Sequence, residues 1–230
     1  FPNKIKDMKR FYKYYKNPFS NYIFIHIGKC GGSSVRKQLI KHDIKHKHIH
    51  VKKVKYQKNK KYFIIIRNPI SRFVSAFNWR YKLVVQDKIQ ENRFKGEKLI
   101  LEKYNNANDL AENIYNANGE LVLNFQEPNN YIHHITEDIH FYIGAFLDKV
   151  KSEEIGGILT TENLNSDFKN NFNIELDYYK KKNKSNVYFS EKAINNLVRY
   201  FKKDFECIDK LDTMKLLTNE QYKVLSNKKF

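Results

Sequence analysis

Two short stretches hold residue types that could handle a phosphorylated molecule. The first runs from Ile23 to Leu39, IFIHIGKCGGSSVRKQL. An apolar run stops at Gly28. Lys29, Cys30, Gly31, Gly32, Ser33 and Ser34 follow, and then a helical pattern begins. Two consecutive glycines let the backbone turn tightly and bring its N–H groups toward an anion. A helix N-terminus adds partial positive charge and unsatisfied donors. Ser33 and Ser34 supply hydroxyls, and Lys29 supplies a full charge. The order is not that of the common phosphate loop, in which the lysine follows the glycines and precedes Ser or Thr. The second stretch, Ile64 to Phe77, reads IIIRNPISRFVSAF. Arg67 leaves an apolar run as a bidentate partner for phosphate, and Ser75 offers a hydroxyl about two turns into the next helix. Two phosphate-binding groups at one sheet edge suggest a nucleotide phosphorylated at two different positions.

The elements that must position these groups follow from local patterning. YIFIHI (22–27) and YFIII (62–66) are β-prone runs, continuous in their apolarity as buried parallel strands are. A helix is predicted from Ser33, with Val35 and Leu39 facing inward. Asn68 is an N-cap and Pro69 suits the first helical position. Ile70, Phe73, Val74 and Phe77 then recur at helical spacing. Residues 97–140 are polar and read as helical. EIGGILTTENL (154–164) reads as a strand leading into a helix. Ala193, Ile194, Leu197, Val198, Phe201, Phe205 and Ile208 form one stripe and predict one C-terminal helix. Strands alternating with helices argue for an α/β fold with a central parallel sheet covered on both faces.

The chain of 230 residues is long enough to bury a core without staples. It reads as a single domain over 1–230: an N-terminal extension (1–20), a nucleotide-binding core (22–90), a helical acceptor-side region (91–150), and the remaining core with C-terminal helices (151–230). The net charge is +18, which points to an anionic partner. Two cysteines, Cys30 and Cys207, make no disulfide framework and read as free thiols of a reducing compartment. No apolar run approaches the ~20 residues a membrane-spanning helix needs.

FIHIGKCGGSSV and IIIRNPISRFVSAF together resemble the two nucleotide-binding motifs of sulfotransferases that use 3′-phosphoadenosine 5′-phosphosulfate (PAPS). The closest likeness is to the glycan O-sulfotransferases of the heparan sulfate 2-O and 6-O type and their bacterial relatives. In that family the first loop is usually Pro/Gln-Lys-Thr-Gly-Gly-Thr-Ser/Thr; here Gly28 and Cys30 depart from it. The second motif is usually Arg-Asp-Pro, and here Asn68 stands in the aspartate's place. The resemblance implies a three-layer fold like that of P-loop NTPases. It implies that Lys29, Cys30, Gly31, Gly32, Ser33 and Ser34 hold the 5′-phosphosulfate, and that Arg67 and Ser75 hold the 3′-phosphate. GGILTTENL is similar to the family's strand before a Thr-Glu helix. KKKNKSN is similar to its basic loop over the nucleotide, which makes Lys184 and Ser185 binding candidates.

The activity so implied is transfer of a sulfuryl group from PAPS, leaving PAP, to a hydroxyl or amine of an acceptor, a glycan or small metabolite. No metal is required, because lysine and arginine supply the charge. Lys29 is placed to stabilise the leaving group. A histidine should act as general base. The chain offers KHDIKHKHIHV (41–51), which lacks cysteines or a glutamate partner for zinc. The 2-O enzymes place a catalytic histidine in Gly-His-Val shortly before the Arg-Asp-Pro strand, and Ile49-His50-Val51 occupies that place. His50 is therefore the candidate base and His48 the runner-up; His48, His133 and His134 are also acceptor-side candidates, and His26 is a packed core residue. Two other classes stay open. A P-loop nucleotide kinase would demand magnesium, and a basic nucleic-acid-binding module, which RFYKYYK (10–16) best supports, would lose affinity steeply with salt. The free thiols place the expected compartment in the cytoplasm; the alternative is the Golgi lumen, with an N-terminal anchor outside this chain.

Overall fold

A computed structural model describes residues 21–177 and 188–229. The basic extension 1–20, and Lys184 and Ser185, lie outside the described residues. The chain opens with β1 (Tyr22–His26) and α1 (Gly32–Lys41), then β2 (Lys47–His50) and β3 (Lys61–Ile66). Next come α2 (Pro69–Tyr81), α3 (Glu97–Lys103), α4 (Ala107–Glu112), α5 (Ile139–Leu147) and β4 (Ile155–Thr160). α6 (Leu164–Phe172), α7 (Glu191–Tyr200), α8 (Lys202–Thr213) and α9 (Asn219–Leu225) follow. The fold is α/β, with a four-stranded sheet in the order β2-β1-β3-β4 and every pairing parallel. Helices flank the sheet. No helix among the described residues is long and apolar enough to cross a membrane.

Strand order locates the site before any side chain is considered. β2 pairs with one edge of β1, and β3 with the other. The chain therefore reverses its direction of travel across the sheet between β1 and β3. Open parallel sheets bind ligands in the crevice at such a switch point, outside the carboxyl ends of the strands. The loop after β1 (27–31) carries Lys29, and the residue after β3 is Arg67. Ile23, Phe24 and Ile25 of β1 and Ile64, Ile65 and Ile66 of β3 are completely buried. Their unbroken apolarity reflects burial on both faces.

Three expectations need correction. The segment 41–51, to which the sequence reading assigns no element, contains an edge strand: Lys47–His50 pairs with β1, with His48 opposite Phe24 and His50 opposite His26. Residues 131–138 are not helical. Ile132, Ile135 and Ile139 have helical spacing and are completely buried, but His134 sits at φ 69, in the left-handed region. The Glu137 carboxylate takes the His134 N–H at 2.6 Å, and Arg72 takes the carbonyls of His134 and Glu137. The expected single C-terminal helix is two helices parting at Phe201. Past the break, Asp204 in the first turn of α8 accepts from the Ile139 and His140 N–H groups at 3.1 and 2.8 Å, at the start of α5.

Asn68 explains the departure from the Arg-Asp-Pro pattern. Its Oδ1 accepts from the N–H groups of Ile70 and Ser71 at 3.0 and 3.1 Å, capping α2. Its Nδ2 lies against the carbonyls of Val224, Leu225 and Asn227 at 3.4, 3.0 and 2.7 Å, where α9 ends. One amide thus closes two helix ends. An aspartate could cap α2 but would present a negative charge to the negative end of α9. We expect Asn68→Asp to destabilise the chain by about 1–3 kcal/mol in urea unfolding, through loss of the amide's donors. Unchanged stability would show that the α9 contacts contribute nothing.

Candidate functional site

At the carboxyl end of β1, two residues bend the cradle. Lys29 has φ 69 and Gly31 φ 80, both left-handed, and α1 starts at Gly32. Gly31 caps α1 with no side chain, and no acidic residue occupies the first turn. The amide-rich end of α1 thus carries no built-in negative charge, which suits an anion. Gly28 and Gly32 are required by neighbours. A Cβ at Gly28 would run into the His134 imidazole, and one at Gly32 into that of His26.

Cys30 is corrected in its role. Its side chain is completely buried in the core, with Sγ 3.7 Å from the Gly28 carbonyl. Burial pushes its thiol up to about 12, so it stays protonated and unreactive. Only its backbone belongs to the cradle, and its carbonyl accepts from Thr161 Oγ1 at 2.8 Å. Ser33 is exposed in the first turn of α1, and Ser34 is buried behind it.

Arg67 meets the cradle directly: Nη1 donates to the Lys29 carbonyl at 3.3 Å. Its Nε lies 4.0 Å from Glu162 Oε1, and the same oxygen accepts the Asn68 N–H at 3.2 Å. The structure thereby brings the loops after β1, β3 and β4 together. Ser75 is half-buried on α2, one helical turn beyond Ser71. Thr161 and Glu162 were not picked out as site residues by the sequence reading, although the TTE sequence at the end of an apolar strand was the available signal.

A band of imidazoles and aromatic rings borders the cradle. The His50 ring stacks on that of His26 at a centroid distance of 4.0 Å and lies 5.5 Å from that of His134. His50 Nδ1 donates to the His26 carbonyl at 2.9 Å. In a neutral imidazole that bond leaves the lone pair on Nε2. His26 Nδ1 and His48 Nε2 share a hydrogen bond of 3.0 Å, so His48 is a buried partner of His26 beneath the site. His133 stacks between Phe94 and His134, at 4.7 and 3.9 Å. Beyond His134 stands Trp79, 5.3 Å away, with Lys29 Nζ 4.4 Å from its ring centroid. Trp79 was missed by the sequence reading. It falls four residues after Ser75, on the stripe Ser71–Ser75–Trp79.

His133, His134 and Glu137 offer ligand atoms within 4.8 Å of one another, a proximity compatible with metal binding. The two imidazoles are stacked with 26° between planes. His133 Nδ1 lies 3.1 Å from Tyr131 Oη and 3.2 Å from the Glu137 carboxylate, whereas His134 Nδ1 is buried without a hydrogen-bond partner. The Glu137 carboxylate is already engaged by Tyr131 Oη at 2.5 Å and by the His134 N–H. The group reads as a hydrogen-bonded wall of the site.

Burial holds His26 and His134 well below the usual imidazole range, with neighbouring imidazoles and cations adding to the effect. Burial pushes His48 down to about 2 and lowers His46 and His50. The His50 base candidate is therefore neutral at pH 7. Comparison with protein-family models, curated proteins and solved structures finds no match for this chain.

These lowered values make stability depend on pH. The unfolded chain takes up protons on these histidines below its ordinary value of ~6.5, whereas the folded chain does not. The stability is full above ~6.5 and is lost as pH falls toward the folded values. Asp204 opposes the trend, because burial raises its carboxyl to about 8, and burial raises that of Asp138 as well, but the lowered histidines His26, His46, His48, His50 and His134 outnumber them. Stability should fall by about 2–4 kcal/mol between pH 6.5 and 5. A flat thermal midpoint over that range would contradict the neutral, buried histidines.

Proposed function

We propose that the chain is a PAPS-dependent sulfotransferase acting on a hydroxyl or amine of an acceptor, a glycan or small metabolite. One observation carries the reading: the lysine-first cradle after β1 and Arg67 after β3 meet across the switch-point crevice. The cradle suits the 5′-phosphosulfate and Arg67, with Ser75, the 3′-phosphate. When bound, PAPS supplies the activated sulfuryl group that the acceptor takes up.

The chain's own groups then have distinct tasks. Lys29 neutralises charge that builds on the 5′ leaving group, as positioned cations do in phosphoryl transfer. His50, neutral and with Nε2 as its base, removes the acceptor proton. His134, held against Gly28, closes the wall between base and lysine. The net charge of +18 suits an anionic acceptor. Cys30 and Cys207 are both buried free thiols, which supports a reducing compartment, the cytoplasm.

Calorimetry with PAP in EDTA tests the reading. Saturable binding without metal is expected, and its absence at moderate salt sinks the proposal. Arg67→Ala should weaken PAP roughly 10- to 100-fold, the loss expected for a charged hydrogen bond. AMP, which lacks the 3′-phosphate, should change little; equal loss of both ligands would remove Arg67 from the 3′ site. For His50→Ala, PAP affinity should survive while PAPS turnover falls by roughly 10²–10⁴-fold.

A further inference from the structure

The Lys29–Trp79 contact is not explained by the motifs. Trp79 is the only tryptophan in the chain. It sits half-buried on α2, with the Lys29 ammonium 4.4 Å from its ring centroid and the Arg80 guanidinium carbon 5.1 Å away. The Arg80 cation is neutralised by Glu97, with Nε and Nη2 at 2.8 and 2.5 Å from the carboxylate oxygens. Glu97 also accepts the His133 N–H at 2.8 Å. The indole is therefore backed by a buried ion pair that also ties the histidine wall. Lys29 has a long, flexible stem, and ordering such a side chain costs entropy. A cation over an indole face is attracted by the ring quadrupole, most strongly for tryptophan among the aromatic residues.

We propose that Trp79 is a positioning residue for Lys29. Its π face holds the ammonium beside the cradle, facing the 5′ end of the donor. This role rests on the PAPS reading above. The indole thus preorganises the cation, and the ordering cost is met before the nucleotide arrives.

A single tryptophan allows a direct test. Growth on 5-fluorotryptophan or more heavily fluorinated tryptophans replaces Trp79 alone, draining the ring face of charge with little change of shape. PAP affinity, by calorimetry in EDTA, should weaken stepwise with fluorination, by about 2- to 5-fold over the series, as a weak cation–π contact implies. In Lys29→Met the series should be flat. The Lys29 ε-methylene protons should show an upfield ring-current shift in NMR spectra, abolished by Trp79→Leu. A flat series in the unsubstituted-lysine chain, affinity that rises with fluorination, or an equal slope in Lys29→Met would each overturn the role. Failure of the native chain to bind PAP would overturn the donor reading and this role with it; PAP binding with a flat series overturns the role alone.

Discussion

The Arg72 guanidinium, on α2 and completely buried, ties together the parts of the site that lie far apart in sequence. Its Nε donates to the Gly28 carbonyl at 3.0 Å, at the end of β1. Its Nη2 donates to the carbonyls of His134, at 2.5 Å, and of Glu137. A cation in the interior is costly unless its donors are used. Here Nε and Nη2 take backbone carbonyls that no helix or strand satisfies, while Nη1 is buried without a hydrogen-bond partner. That exchange fixes the 131–137 segment against the cradle, aims His134 at Gly28, and sets α2 so that Arg67 at its entry reaches the Lys29 carbonyl. Removing the guanidinium would free the cradle, the histidine wall and α2 from one another.

The histidines depend on the same close packing. β2 contributes His48 and His50, β1 contributes His26, and the glycines at 28 and 32 make room for His134 and His26. Stacking at 4.0 Å between His26 and His50 disfavours charging both rings, because two adjacent imidazolium ions would repel. Burial enforces that neutrality, and the His26 carbonyl sets the His50 tautomer. The arrangement that keeps His50 neutral is thus the one that makes the fold sensitive to acid. Stability and proposed chemistry share one set of side chains.

The legible part of the sequence was the part written in contiguous signals. An apolar run, a glycine pair and a helical pattern placed β1, the cradle and α1; Asn-Pro after an isoleucine run placed β3, Arg67 and α2. The rest depended on tertiary contacts. β2 is short and half polar, and Lys47-His48-Ile49-His50 looks like a strand only beside β1. The isoleucines at 132, 135 and 139 mimic a helix, but Arg72 and Glu137 capture the backbone groups that a helix would need. Cys30 looked like a ligand-facing loop residue because its neighbours are; only the fold shows its thiol turned into the core. Asn68 was readable as a cap for the helix it starts, but not as the closure of α9, more than 150 residues away in sequence. Trp79 lay on the same helical stripe as Ser75 and needed Lys29 beside it to acquire a role.

The proposed donor site depends on one geometric feature: the lysine-first cradle and Arg67 face each other across the β1/β3 crevice, spaced for two phosphates of one nucleotide. A crystal structure of the chain with PAP tests it most directly. The 5′-phosphate is expected among the backbone amides of residues 29–34 with Lys29 beside it, and the 3′-phosphate on Arg67 and Ser75. PAP bound in the opposite sense, or away from the switch point, would contradict it.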